Sequence, residues 1–431
     1  MIQQFELDFP REASASMKLG SIPARICISS DIRDFAGIWP RSTQLGDARC
    51  HAFQCADLLE LHCETISVAR NAQPLFVAIL GQNDQPLALL PLSLETDPRY
   101  TRVFKQTRVL RFLDDGLSDY NAPVMFAPVR DWSAKTVRML WDAVREHIPA
   151  FDIAIFDKMP ESVDGMPNPL CLLQTSAREG SGHGAALSGT WKEFSAKLPS
   201  RSNLRRLTRR LGERGSLTFE VAETAQQCDV AMEALTKYKR ERSLETLGHD
   251  PLERPGYREY LSKARELVYP CGPVCVFTLK LDDKIIAANF CCVAGSRLIG
   301  QICSFDPEWY EYSPGRLLFE KIFEWCFSHG IAFYDFGIGN ETYKDSYCDV
   351  VIPLRDAVMA ASAKGIASLL WRDTIDRIRK AARKVQTTAP APEIKDSRND
   401  TAPALAEKAK RARVVKPAAR PEHSTEAARI D

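Results

Sequence analysis

The sequence predicts an α/β protein built from two halves of the same design. Three observations lead there. The chain has 431 residues and 45% hydrophobic content, enough for two or three domains with full cores. Short apolar runs bounded by turn formers alternate with segments at helical spacing. The order hairpin, strand, helix, strand also occurs twice, in residues 74–157 and again in 273–337.

Residues 1–24 read as an irregular lead-in. PLFVAIL (74–80) and PLALLPLSL (86–94) flank GQNDQ, whose Gly, Asn and Asp favour a hairpin turn. TRVLRFL (107–113) alternates like a third strand. SAKTVRMLWDAVREHI (133–148) places Val137, Leu140, Trp141 and Val144 on one helical face, and FDIAIFD (151–157) is a strand. The second half begins with PVCVFTLKL (273–281) and IIAANFCCV (285–293) around the turn DDK, followed by RLIGQICSF (297–305). GRLLFEKIFEWCFSHG (315–330) is an amphipathic helix with Gly330 as its stop, and IAFYDFG (331–337) is the strand after it.

These elements define a first domain over 25–178 and a second over 190–364, which includes a strand at 353–360. The Gly/Ser-rich EGSGHGAALSG (179–189) reads as the linker between them. Residues 365–385 form a basic amphipathic helix. From 386 to 431 Ala, Pro, Lys, Arg and Glu dominate and aromatics vanish, which predicts a disordered tail.

The net charge of +1 gives no global argument for a nucleic-acid partner, so any such partner needs a local patch. Residues 191–215 supply one candidate, with Arg201, Arg205, Arg206, Arg209, Arg210 and Arg214. They face phosphate or RNA, or they form a solvated face while Phe194, Leu204, Leu207 and Leu211 pack inward. In 365–384, Leu369, Leu370, Ile375 and Ile378 alternate with six Lys and Arg: Arg372, Arg377, Arg379, Lys380, Arg383 and Lys384. That helix lies on an anionic membrane surface or packs on its own domain. The thirteen cysteines are scattered without a C-x-x-C pair, the N-terminus lacks an apolar leader, and no run approaches a membrane span. The expectation is a soluble cytoplasmic protein, with peripheral contact at the inner membrane as the alternative. His, Cys and carboxylates do not cluster at metal spacing, so no metal is expected.

Two segments carry candidate chemistry. In SFDPEWYEYSPGRLLFEKI (304–322) a strand ends and a helix begins near Ser313, Gly315 and Arg316. Free N–H groups of a first helical turn favour an anion, and Arg316 adds charge; the bland alternative is a plain helix start capped by Ser313. In FYDFGIGNETYKDSY (333–347) the strand is left at Gly337, where a loop can expose Asp335, and Glu341, Tyr343 and Lys344 follow. Acyl transfer needs a base and a positive charge or N–H for the developing oxyanion, and these are the right residue types. The alternative is an Asp–Lys bridge in a packed loop. Asp119 and Tyr120, after the third strand of the first half, reach a shared cleft as substrate-binding residues if the halves face each other. Otherwise they are a turn.

FDPEWYEYSPGRLLFEKIFEWCFSHGIAFYDFGIGNETYKDSY resembles the signature of the CelD/BcsL-type acetyltransferase-like family, tandem GNAT-fold proteins associated with bacterial cellulose and exopolysaccharide synthesis. The resemblance runs from Trp191 to Ala361. It extends more weakly to GLSDYNAPVMF (116–126), and it is distantly shared with the FemAB-type peptidyltransferases. It implies tandem GNAT-like domains with a shared cleft. It also implies acyl transfer from acyl-CoA, acetyl-CoA by family habit, to a hydroxyl or amine of a saccharide or polysaccharide precursor. Ser313, Gly315 and Arg316 would hold the donor's phosphates, Asp335 or Glu341 would act as base, and Lys344 and Tyr343 would stabilise the oxyanion. The single glycine, Gly315, departs from the longer glycine-rich donor loop of the fold. An aminoacyl-tRNA donor, as in FemAB-type proteins, and an inactive scaffold that binds a polysaccharide synthase component are the alternatives.

Overall fold

The computed structural model describes residues 3–7 and 24–388, apart from 98–99, 101–105, 115, 117, 199–200, 340 and 342–343; at 3–7, 345, 376 and 378–388 it describes backbone only. The described residues up to 375 form one compact unit, and those from 376 onward fall in a second. Of the predicted tail, 389–431 lies outside the described residues.

In chain order the first half contributes β1 (Gln3–Leu7), β2 (Ala24–Ser29), helix α1 (Ala56–His62), β3 (Gln73–Leu80), β4 (Pro86–Thr96), β5 (Arg108–Phe112), the short β6 (Val124–Met125), α2 (Ala134–His147) and β7 (Ile153–Pro160). A small hairpin, β8 (Ser162–Val163) and β9 (Met166–Pro167), precedes β10 (Ser176–Ala177) and β11 (Gly182–Ala186). The second half contributes α3 (Trp191–Lys197), α4 (Arg201–Gly212), β12 (Leu217–Val221), α5 (Ala225–Leu247), α6 (Tyr257–Lys263), β13 (Val274–Leu281), β14 (Lys284–Ala294) and β15 (Arg297–Phe305). It continues with α7 (Pro314–Ser328), β16 (Phe333–Ile338), β17 (Val350–Ile352), β18 (Leu354–Ala360) and α8 (Ala363–Thr388).

The two sheets have the same plan. The first runs β1-β2-β3-β4-β5-β7-β18-β10, with β6 also on β4; the second runs β12-β13-β14-β15-β16-β11-β17. In each, an antiparallel meander ends in one parallel pair. Val109–Arg111 lie beside Ile153–Ile155, and Arg297–Ile299 beside Phe333–Asp335. Pairing stops there although the strands run on, which leaves a gap at the same place in both sheets. A helix from the crossover covers each outer face: α2 buries Val137, Leu140, Trp141 and Val144, and α7 buries Leu318, Ile322, Phe323 and Cys326. Between the sheets lies a third core, in which Trp39, Leu59 and Phe76 meet Leu235, Val276 and Phe290.

Two segments differ from the sequence expectation. Residues 179–189 are not a free linker: β11 lies antiparallel between β16 and β17. Its glycines serve close packing rather than flexibility. A Cβ on Gly182 would lie 2.1 Å from the Tyr120 hydroxyl, and one on Gly184 would lie 2.1 Å from the Phe333 ring. The strand near the end of the second domain, β18, joins the first sheet beside β7. Each half thus lends the other's sheet one strand. The lead-in also contains a strand, β1, paired with β2.

Helix α8 packs against the first sheet at Gly365, whose added Cβ would lie 1.9 Å from the Asp152 carbonyl oxygen. Helix propensity favours Ala over Gly by about 1 kcal/mol, but a backbone oxygen cannot swing aside. Gly365→Ala is therefore expected to lower unfolding free energy by about 1–3 kcal/mol, measured by denaturant titration; an equal or higher midpoint would show that α8 does not press on this strand.

Candidate active site between the two halves

On β16 the side chains alternate. Tyr334 and Phe336 enter the α7 core, while Asp335 points into the space between the halves. Sequence reading expected a loop to expose Asp335. Instead it is 0% exposed. Its Oδ1 accepts from the Tyr120 hydroxyl at 2.7 Å and the Gly337 N–H at 2.8 Å, and its Oδ2 from Arg297 Nη1 at 3.0 Å. Burial pushes this carboxyl up, and the opposing Arg297 charge and the two other donors hold it back. With both oxygens occupied and no solvent access, Asp335 is not placed to take a proton from an acceptor.

Asp119 is. It is partly exposed and lies against Gly337, where a Cβ would approach Asp119 Oδ2 to 2.3 Å. Gly337 also has a positive φ of 68°, so glycine is required there on two counts. Burial, followed by repulsion from Asp335, raises the Asp119 carboxyl to about 7, while the Ile338 N–H, Lys158 and Lys344 oppose the rise. A carboxylate with a near-neutral pKa and an open side is suited to general-base work.

Lys344 follows in the same polar segment, yet it does not reach solvent. It is 2% exposed. Its ammonium donates to Glu341 Oε2 at 2.9 Å, to the Ile338 carbonyl at 3.1 Å and to the Gly337 carbonyl at 3.4 Å. It therefore grips the same backbone that contacts Asp119. Burial pushes the Glu341 carboxyl up, but the Lys344 hydrogen bond, a backbone hydrogen bond and the Lys344 and Lys239 charges together outweigh it, and the carboxyl is lowered. Glu341 is thus an ion-pair partner on the surface. Tyr343 lies outside the described residues.

At the start of α7, Ser313 does not cap with its side chain; it adopts a left-handed backbone with φ 50°. Pro314 is the first helical residue and Gly315 is buried. Arg316 Nε donates to the Tyr347 hydroxyl at 3.3 Å. No side chain among the described residues caps the first turn of α7, and the Arg316 and Leu317 N–H groups donate to the Ser313 carbonyl at 3.0 and 3.2 Å. One turn joins this region to the acidic cluster, since the Tyr347 N–H donates to the Lys344 carbonyl at 2.9 Å.

Two residues of the site carried no sequence signal. Arg297, at the start of an apolar strand, holds Asp335, donates to Asp164 Oδ1 at 2.8 Å, and lies 4.1 Å over the Phe333 ring. His51 stacks on Tyr120 with ring centroids 4.7 Å apart. It is 2% exposed, neither ring nitrogen has a hydrogen-bond partner among the described residues, and burial followed by the Arg297 charge keeps it neutral. The nearby Gln54 amide donates to the Tyr120 carbonyl at 2.9 Å, which pins the loop that presents Asp119.

The basic segment divides into α3 and α4. Leu204, Leu207 and Leu211 are buried, and Arg205, Arg206 and Arg209 are exposed. Arg201, Arg205 and Arg316 all act on Glu320 of α7, so the arginine face adjoins the start of that helix.

Residues 200–345 match the family model of the acetyltransferase (GNAT) domain. No curated protein matches the chain. Among solved structures, FemX is 13% identical with a TM-score of 0.51, covering 71% of this chain and 92% of its own. A tandem GNAT protein from the clavulanic acid biosynthesis pathway is 10% identical with a TM-score of 0.41, covering 84% and 99%. L-PGS from Bacillus licheniformis is 12% identical with a TM-score of 0.43, covering 75% and 97%. The likeness to FemX shows a shared fold.

Proposed function

From the premise of a GNAT-type acyltransferase, we propose that this protein acylates a hydroxyl or amine of a saccharide or polysaccharide precursor at the site between its halves. The observation that carries the reading is Asp119, a carboxyl with a pKa near 7 on the open side of a buried charged cluster. Asp119 would accept the acceptor's proton as the new acyl bond forms and the donor's thioester C–S bond breaks, with CoA leaving as the thiolate and taking up a proton on release. Tyr120, Asp335 and Arg297 hold the Asp119 loop and strand β16 in register. Lys344 fixes the Gly337–Ile338 backbone and supplies positive charge beside the reacting carbonyl. The saccharide acceptor rests on the resemblance of residues 305–347 to polysaccharide-associated proteins.

For the donor, the N-terminus of α7 offers the positive end of the helix dipole and the Arg316 side chain, a fit for one phosphate group of acyl-CoA. When bound, the donor supplies an activated acyl carbonyl. A second reading, an aminoacyl-tRNA donor, is favoured by a specific feature. The connection from β15 to α7 is a 3-10 turn, Pro307–Tyr312, rather than a glycine-rich loop, and the arginine face of α4 adjoins it.

Thermal stabilisation by acetyl-CoA, longer acyl-CoAs and charged tRNA separates these readings. Binding of acyl-CoA, with transfer to an amino or hydroxyl sugar, supports the first. Stabilisation by charged tRNA alone, falling steeply with salt as released counterions require, replaces it with the second. Silence toward every donor removes both.

A further inference from the structure

Helix α8 has two faces with different fates. One is fastened to the first sheet. Ser368 is buried with its hydroxyl 3.4 Å from that of Thr107, Leu369 packs on a core of Tyr100, Val109 and Ile153, and Lys364 pairs with Asp152 at 2.8 Å. The other face carries large apolar side chains into solvent: Ile366 is 54% exposed, Leu370 65% and Trp371 47%. Ile366 and Leu370 are one turn apart, on the side away from Gly365 and Leu369. Single exposed apolar residues need no explanation, but three within six positions of one anchored helix do.

The helix continues beyond its anchored part to Thr388. In the sequence of that extension, apolar residues recur at positions 371, 375, 378, 382 and 385, which is helical spacing. From Ala363 to Thr388 the sequence holds Lys364, Arg372, Arg377, Arg379, Lys380, Arg383 and Lys384 against Asp373 and Asp376 only. Few acids, many cations, a Trp and an apolar stripe make a helix that lies in the plane of an anionic bilayer surface. No helix among the described residues is long and apolar enough to cross a membrane, so the contact is interfacial.

We infer that α8 docks the protein on an anionic lipid surface, with Ile366, Leu370 and Trp371 entering the headgroup boundary and the basic residues meeting lipid phosphates. The charge surplus selects lipid over a second copy of the chain, because two copies of α8 would repel each other. This inference stands apart from the acyl-transfer reading, since it uses no residue of that site.

The test is co-sedimentation of the full chain with phosphatidylcholine vesicles made with and without phosphatidylglycerol. Binding is expected only with phosphatidylglycerol, weakening as salt rises. Ile366→Asp/Leu370→Asp is expected to reduce binding roughly tenfold or more, with unchanged circular dichroism because both side chains are exposed. Arg377→Glu is expected to weaken binding several-fold through charge alone. Absence of binding to anionic vesicles at low salt overturns the inference. Unchanged binding by the Asp double variant does so too, as does a wild-type dimer in light scattering that the double variant abolishes.

Discussion

Asp119→Asn is expected to lower turnover by about 10²–10⁴-fold, the usual contribution of a positioned general base. The fold should survive, because Asn retains the size of Asp119 and can still accept from the Ile338 N–H. The pH profile gives a second, independent reading. A base raised to about 7 must be ionised to act, so the wild-type rate should climb as pH passes through 7 and level off above it. The variant should lose that step. Stability should move in the opposite sense. The folded protein holds the Asp119 proton more tightly than the unfolded chain, whose carboxyl has the ordinary value of 3.8. Its favourable contribution is therefore complete below that value and is lost as pH rises through 7. At pH 8 the Asn variant should consequently melt higher than the wild type, while near pH 4 the two should converge. A variant that keeps both its rate and its profile would place the base elsewhere.

The largest stability effect is expected at Arg297. Arg297→Met leaves the Asp335 carboxylate buried with its cation removed, and breaking a buried pair in this way costs about 3–5 kcal/mol. The double change Arg297→Met/Asp335→Asn removes the stranded charge while keeping an acceptor for the Tyr120 hydroxyl. It should recover much of the loss. Denaturant titration of the wild type, both single variants and the double variant yields the coupling directly. Additive losses would mean that the 3.0 Å contact between Arg297 and Asp335 contributes little to folding. Because Arg297 holds Asp335, and through it the register of β16 and the Asp119 loop, activity per folded molecule is the second readout. A rate loss with the fold intact would show that the guanidinium also acts on the reaction.

The strand and helix plan was legible along the chain because burial leaves a local trace. A strand with two covered faces, such as Pro86–Thr96, is a continuous apolar run, and α2 repeats Val137, Leu140, Trp141 and Val144 at the helical period. The motif around Asp335 and Lys344 and the pair Asp119–Tyr120 were legible as well, as polar residues at strand ends. Their roles were not. Burial depends on what arrives from far along the chain: Tyr120 comes from 215 residues away to close over Asp335, and this turns an expected base into the floor of the site. The same contact leaves Asp119 as the carboxyl with an open side. Composition misled at Gly182 and Gly184, since a flexible linker and a strand squeezed beneath two aromatic rings call for the same residue, one for freedom and the other for lack of a Cβ. Nor could local pattern reveal that β11 and β18 cross into each other's sheets. A strand's periodicity specifies which faces are covered; which edge it pairs with is decided by the whole assembled chain.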